Sequence, residues 1–242
     1  MKFKGIIPVL LVLVSPLLYA DIVSYIATQQ SYLENWFINE NIIVLRNQSL
    51  IKCSLQCGIL DECMSISYHK GSKECIGVTI GYIVQPTSLG YTSVGWSYYL
   101  VLDERCPDVT GYVFDKAFNS CYKVHLYDNT LRYDNYSQIC ESEGAKLMKI
   151  DSDEKQQHIV TFLDQFDISN WIYFQGTHLL SEPTWRYDDG SVISYFNWYS
   201  SQPDSTTSDT SEYLCMRKSD QYQWHDCWKS MKGAFICELQ LI

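Results

Sequence analysis

The stretch from Trp185 to Asp204, WRYDDGSVISYFNWYSSQPD, decides how this chain is read. Asp188-Asp189-Gly190 is turn chemistry: aspartate side chains bond their own backbone, and glycine accepts a left-handed conformation. Trp185 and Trp198, like Trp171 upstream, read as core, because large aromatic residues dominate small cores. The stretch then ends on Pro203 flanked by Gln202 and Asp204. Only proline makes a cis peptide cheap, and a cis bond would let the two flanking side chains point the same way. A carboxamide oxygen and a carboxylate would then face one target.

Working outward, the chain has 242 residues, enough for one large domain or two small ones. Residues 1–20 look like a signal peptide: Lys2 and Lys4 lead an apolar run, and Leu18-Tyr19-Ala20 suits cleavage. The rival reading is a membrane anchor, but the run is short for a bilayer and interrupted by Pro8 and Pro16. No other segment is long and apolar enough to span. The expectation is a secreted, extracellular, soluble chain. Its 10 cysteines then read as disulfides rather than thiols. Asn47-Gln48-Ser49 and Asn135-Tyr136-Ser137 are glycosylation acceptors, as expected of a secreted glycoprotein. A net charge of −10 disfavours nucleic acid or anionic lipid as partner and is compatible with a bound cation. There is no Gly-x-Ser-x-Gly elbow and no His-Glu-x-x-His, so an enzyme is not expected.

The cysteines fall into two groups, Cys53 to Cys75 and Cys106 to Cys237, with a boundary near Glu104. In the first block Ile42 to Leu45 reads as a strand, and Asn47 or Ser49 as the cap of a helix. Leu50, Cys53, Ser54 and Cys57 share one face of that helix, and Gly58 is its expected stop. CMSISYHK (63–70), CIGVTIGYIV (75–84) and GWSYYLVL (95–102) read as strands. A helix with cysteines one turn apart, then Cys63, Tyr68 and Cys75, resembles the PAN/apple-like modules. The resemblance assigns residues 21–103 to such a domain and implies Cys53–Cys75 and Cys57–Cys63 bridges. Four thiolates on zinc are the rival, disfavoured by an oxidising compartment.

In the second block YDNYSQICESEG (133–144) reads as a helix with Tyr136, Ile139 and Cys140 on one face and Gly144 as its stop. DSDEKQQHIVTFLDQF (151–166) is a second helix, with Asp151 as cap, Glu154 three residues on, and Ile159, Phe162, Leu163 and Phe166 as buried stripe. After Ser169 come short aromatic strands with turns at Glu182-Pro183 and Asp188 to Gly190. Helices first and strands later give α+β. With CPDVTGYVFDKAFNSCYKV, CESEGAKL, WIYFQGT, the opening stretch, WHDC and FICE, the block resembles a long-form C-type lectin domain over residues 106–239. That implies two helices, short antiparallel strands, a long loop, and bridges Cys106–Cys121, Cys140–Cys237 and Cys215–Cys227.

The resemblance also implies a function. The Gln202-Pro203-Asp204 triplet would hold one calcium ion, with metal ligands Gln202, Asp204, Glu212 and Asp226. Calcium takes about six to eight hard oxygens, so the shell leaves room for a sugar diol. Gln202, Asp204, Glu212, His225 and Asp226 are the sugar-binding set. Gln-Pro-Asp implies galactose or N-acetylgalactosamine, because exchanging amide and carboxylate across the ion reverses which side donates hydrogen bonds. The sequence departs from the family pattern at His225, where asparagine is usual, and at Glu212, which lies three residues before Cys215 rather than two. No aromatic residue lies between Ser205 and Ser211, Tyr213 being the nearest after the triplet, and Trp228 is left unplaced. The expected partners are galactose-type glycans or glycoproteins, in innate immune recognition, with protein ligands for the first domain. The alternative is a calcium-independent protein-binding module on a lectin-like scaffold.

Overall fold

The computed structural model describes residues 25–39, 42–45, 48–85, 90–107, 111–168, 171–179, 181, 184–204 and 211–241. The expected signal segment, Asn47, Glu182-Pro183 and residues 205–210 of the polar run lie outside the described residues. The chain divides into two compact units: Met1–Asp108, Val113–Ser120 and Leu241–Ile242 form one, Val109–Tyr112 and Cys121–Gln240 the other.

The first unit contains β1 (Tyr25–Gln29), β2 (Trp36–Phe37), β3 (Ile42–Val44), α1 (Leu50–Ile59), β4 (Ser65–His69), β5 (Glu74–Val78), β6 (Tyr91–Thr92), β7 (Trp96–Asp103) and β8 (Val113–Asp115). Five strands form an antiparallel sheet in the order β1-β7-β4-β5-β3, and β2 pairs with β6. Ser49 caps α1 by accepting from the Lys52 amide at 3.4 Å. The helix buries Cys53, Ser54 and Cys57, and packs with Leu45, Ile66, Tyr68 and Val101. Cys53–Cys75 and Cys57–Cys63 are bridged. Two expectations need correction. Gly58 lies inside the helix, which runs to Ile59 and caps at Leu60. The strand expected over 75–84 ends at Val78. Beyond it the backbone is satisfied by side chains instead of a ladder: Ser65 Oγ donates to the Ile80 carbonyl at 2.7 Å, and the Tyr82 amide donates to Tyr98 Oη at 2.7 Å.

The second unit contains β9 (Ser120–His125, which begins at the last residue of the first), α2 (Tyr133–Ser142), β10 (Lys146–Leu147), α3 (Asp153–Leu163), β11 (Trp171–Leu179), β12 (Trp185–Arg186), β13 (Ser211–Arg217), β14 (Gln223–Cys227) and β15 (Gly233–Gln240). Its strands run β14-β13-β11-β15-β9, with β10 on β15 and β12 on β11. β11 is central, antiparallel to β13 and parallel to β15. Gly144, at φ 77°, turns the chain out of α2 as expected. The cap of α3 is Ser152, not Asp151: its hydroxyl accepts from the Lys155 amide at 3.2 Å. Ile159, Phe162, Leu163 and Phe166 are buried. Cys140–Cys237 and Cys215–Cys227 are bridged, and Cys106 and Cys121 are disulfide-bonded too. Few helices, short strands and several disulfides make this the expected α+β arrangement. Among the described residues, no helix is long and apolar enough to cross a membrane.

Candidate functional site

The site is built where the end of the long loop meets β14. Strand alternation sets it up: Leu214 pairs with Asp226, Cys215 with His225 and Met216 with Trp224. Trp224 and Asp226 therefore share one face of the sheet, and His225 takes the other. Trp224 is fully buried. Its indole N–H donates to Gln156 Oε1 at 2.8 Å, which fixes β14 against α3. The loop is then stitched to Trp224 by its own backbone. The Trp224 amide donates to the Asn197 carbonyl at 2.7 Å, and the Tyr199 amide donates to the Trp224 carbonyl at 2.9 Å.

From Tyr199 the chain turns, the Gln202 amide donating to the Tyr199 carbonyl at 3.0 Å, and reaches the triplet. The Gln202–Pro203 peptide is cis. Gln202 Nε2 donates to Asp204 Oδ2 at 3.2 Å. The Asp204 amide donates to Asp226 Oδ1 at 3.2 Å, and the Asp226 amide to Gln202 Oε1 at 3.4 Å. Asp226 is buried at the base, while Asp204 is exposed and Gln202 partly so. Three of the five expected site residues thus meet.

The other two are engaged elsewhere. Glu212 is only 1% exposed, and its Oε2 lies 3.0 Å from His178 Nδ1, its cross-strand neighbour on β11. The His178 ring stacks on Trp185 at 5.0 Å. His225, expected in the sugar-binding set, sits on the opposite face from Asp226. Its Nε2 lies 2.9 Å from Asp220 Oδ2. Burial pushes its imidazole below the ordinary histidine range, against the upward pull of Asp220 and Asp226. Trp185 is buried, Trp171 and Trp198 are half-buried, and Trp228 is exposed. Trp224 and Tyr199, which organise the loop, were not singled out from the sequence. Period-two alternation along WHDC was the available signal for the first.

A second group of possible donors does not make a metal centre. Among the described residues His125, Glu143 and Cys237 bring donor atoms within 4.8 Å, but Cys237 is oxidised with Cys140. Glu143 is already satisfied by Tyr112 Oη at 3.0 Å, Lys123 Nζ at 2.7 Å and His125 Nε2 at 3.0 Å.

Residues 129–239, within the second unit, match the family model described as Lectin C-type domain. Over 124 residues the chain is 28% identical to C-type mannose receptor 2 of Mus musculus, covering 51% of this chain and 8% of the receptor. Over 138 residues it is 26% identical to layilin of Homo sapiens, covering 49% of this chain and 36% of layilin. A solved structure titled SPL-1 - GlcNAc complex is similar with TM-score 0.48 and 22% identity, covering 57% of this chain and 98% of the other. The match therefore spans well under half the length of these curated relatives.

Proposed function

We propose that the chain is a secreted glycan-binding protein whose lectin domain holds calcium through Gln202, Asp204 and Asp226, with a galactose-type preference. The observation that carries this is the convergence of the triplet with Asp226: the Asp204 amide donates to Asp226 Oδ1 and the Asp226 amide donates to Gln202 Oε1. The donor set suits the ion: two carboxylates and a carboxamide are hard oxygen ligands, with no sulfur or nitrogen among them. Bound there, calcium would supply a coordination point for vicinal hydroxyls. Asp204 is exposed and Gln202 partly so, and the same hydroxyls would exchange hydrogen bonds with them. Glu212 joins this set only by giving up His178, and His225 lies outside it. The Gln-Pro-Asp order supports galactose over mannose by the placement of amide and carboxylate. The first unit, with its helix and its Cys53–Cys75 and Cys57–Cys63 bridges, supports the PAN/apple-like reading and a role in contacting protein ligands.

The test is calorimetric titration of calcium, then of galactose and mannose with calcium or chelator. Asp204→Ala should weaken calcium binding at least tenfold, since affinity follows the number and charge of ligands. Unchanged affinity places the ion elsewhere, and no heat with either sugar removes the lectin reading. The engagement of Glu212 by His178 favours a second reading, a calcium-independent protein-binding scaffold. A protein pull-down that survives chelator and free sugar would decide for it.

A further inference from the structure

We propose that His225 is a positioning residue for the oxygen site, acting through Tyr199 from the opposite face of the sheet. The inference rests on the calcium reading above and adds what holds the triplet in register.

The turn carrying the triplet is exposed and conformationally demanding. Ser201 stands at φ 70°, a region that residues with a side chain rarely adopt. Such a turn persists only where its surroundings hold it. Tyr199, at its start, is the anchor. Its amide and carbonyl are both used, on Trp224 and Gln202 respectively. The residue is 40% exposed, and its ring lies stacked on the His225 imidazole, with centroids 5.2 Å apart and planes 18° apart. The imidazole is fixed in turn. Trp171 meets it edge to face at 4.9 Å, and the Arg217 guanidinium covers Trp171 at 5.1 Å. Asp220 faces its Nε2 at 2.9 Å. A path of packed groups therefore runs from the rigid strands β11, β13 and β14 through His225 to Tyr199, then to the Gln202 amide and the oxygen that accepts from Asp226. An asparagine at 225 would leave the Tyr199 ring without the aromatic partner it stacks on. The histidine thus supplies a support in place of a ligand.

The experiment compares wild type with His225→Ala, His225→Phe, Tyr199→Ala and the double alanine variant in the full chain. Two readouts are taken: calcium affinity, and hydrogen exchange of the Gln202 amide without calcium. His225→Ala and Tyr199→Ala should each weaken calcium by about two- to tenfold, the range one aromatic pair is worth, and speed Gln202 exchange. His225→Phe keeps a flat ring and should restore both. The double variant should be no worse than either single one, because both remove one contact. Wild-type affinity and exchange in His225→Ala would overturn the proposal. So would a Phe variant as impaired as the alanine, or additive losses in the double variant. If wild type binds no calcium, the calcium reading fails while the exchange arm still decides this one.

Discussion

His225 and Asp226 are neighbours in sequence and lie on opposite faces of the sheet, because consecutive strand residues alternate sides. That parity is legible in the WHDC segment, a strand by its alternation. The partners each side chain found were not, since Asp220, Tyr199 and Trp171 come from three other places in the chain. Lys155 and Glu238 show the same limit at a buried ion pair, 2.7 Å apart and each side chain 6% exposed. Removing one partner strands the other charge, so Glu238→Ala should cost about 3–5 kcal/mol in urea unfolding. Converting both to methionine should cost far less. A value for Glu238→Ala within the surface range would contradict this account. His125 offers a pH test. Burial holds its imidazole below the ordinary range, although Glu143 pulls the other way. The unfolded chain therefore takes up the proton first, and stability is lost as pH falls through about 6.5 toward the lower folded value. His125→Phe should flatten the stability slope across that window, measured by denaturant unfolding at a series of pH values. The Glu143 carboxyl is also held low, its hydrogen bonds from Lys123, His125 and Tyr112 outweighing burial. Its contribution is lost only at more acidic pH.

At the scale of elements, the helices were the legible part. Apolar spacing placed α1, α2 and α3 within a few residues, because a buried helix face repeats in the sequence itself. The errors were at ends. Gly58 suits a stop but the helix continues past it, and Asp151 suits a cap but Ser152 makes the bond. Both were chemically suitable choices, and the competition between neighbours is settled by local geometry. Strands were harder. The parallel pairing of β11 with β15 places Trp171 beside Gly233, a contact between residues far apart in sequence. A Cβ at Gly233 would run into the Trp171 carbonyl, and backbone cannot move aside as a side chain can. Gly233→Ala should therefore destabilise the domain by about 1–3 kcal/mol, the usual cost of overpacking. A thermal melt equal to wild type would show that β15 shifts freely, against the pairing described.

For the whole molecule, the disulfides tie sequence to architecture. Cys140–Cys237 spans 97 residues and Cys57–Cys63 spans 6. Loop entropy makes the first worth roughly 4–5 kcal/mol and the second roughly 2 kcal/mol. Replacing each pair by alanine should reproduce that order in chemical denaturation, and a reversed order would count against an entropic origin. The cysteine set, the turn residues, the helix periodicity and the Gln-Pro-Asp triplet belong to the sequence alone, because each is a local pattern or a composition. They were enough for the α+β class, and they named three residues, Gln202, Asp204 and Asp226, that the fold brings together. Which oxygens are committed to other partners was decided only by tertiary structure. Glu212 is held by His178 across a strand pair, and His225 is turned to the far face, where Tyr199 covers it. Those outcomes depend on strand register and loop path, and each is set by contacts between segments that the linear order keeps apart.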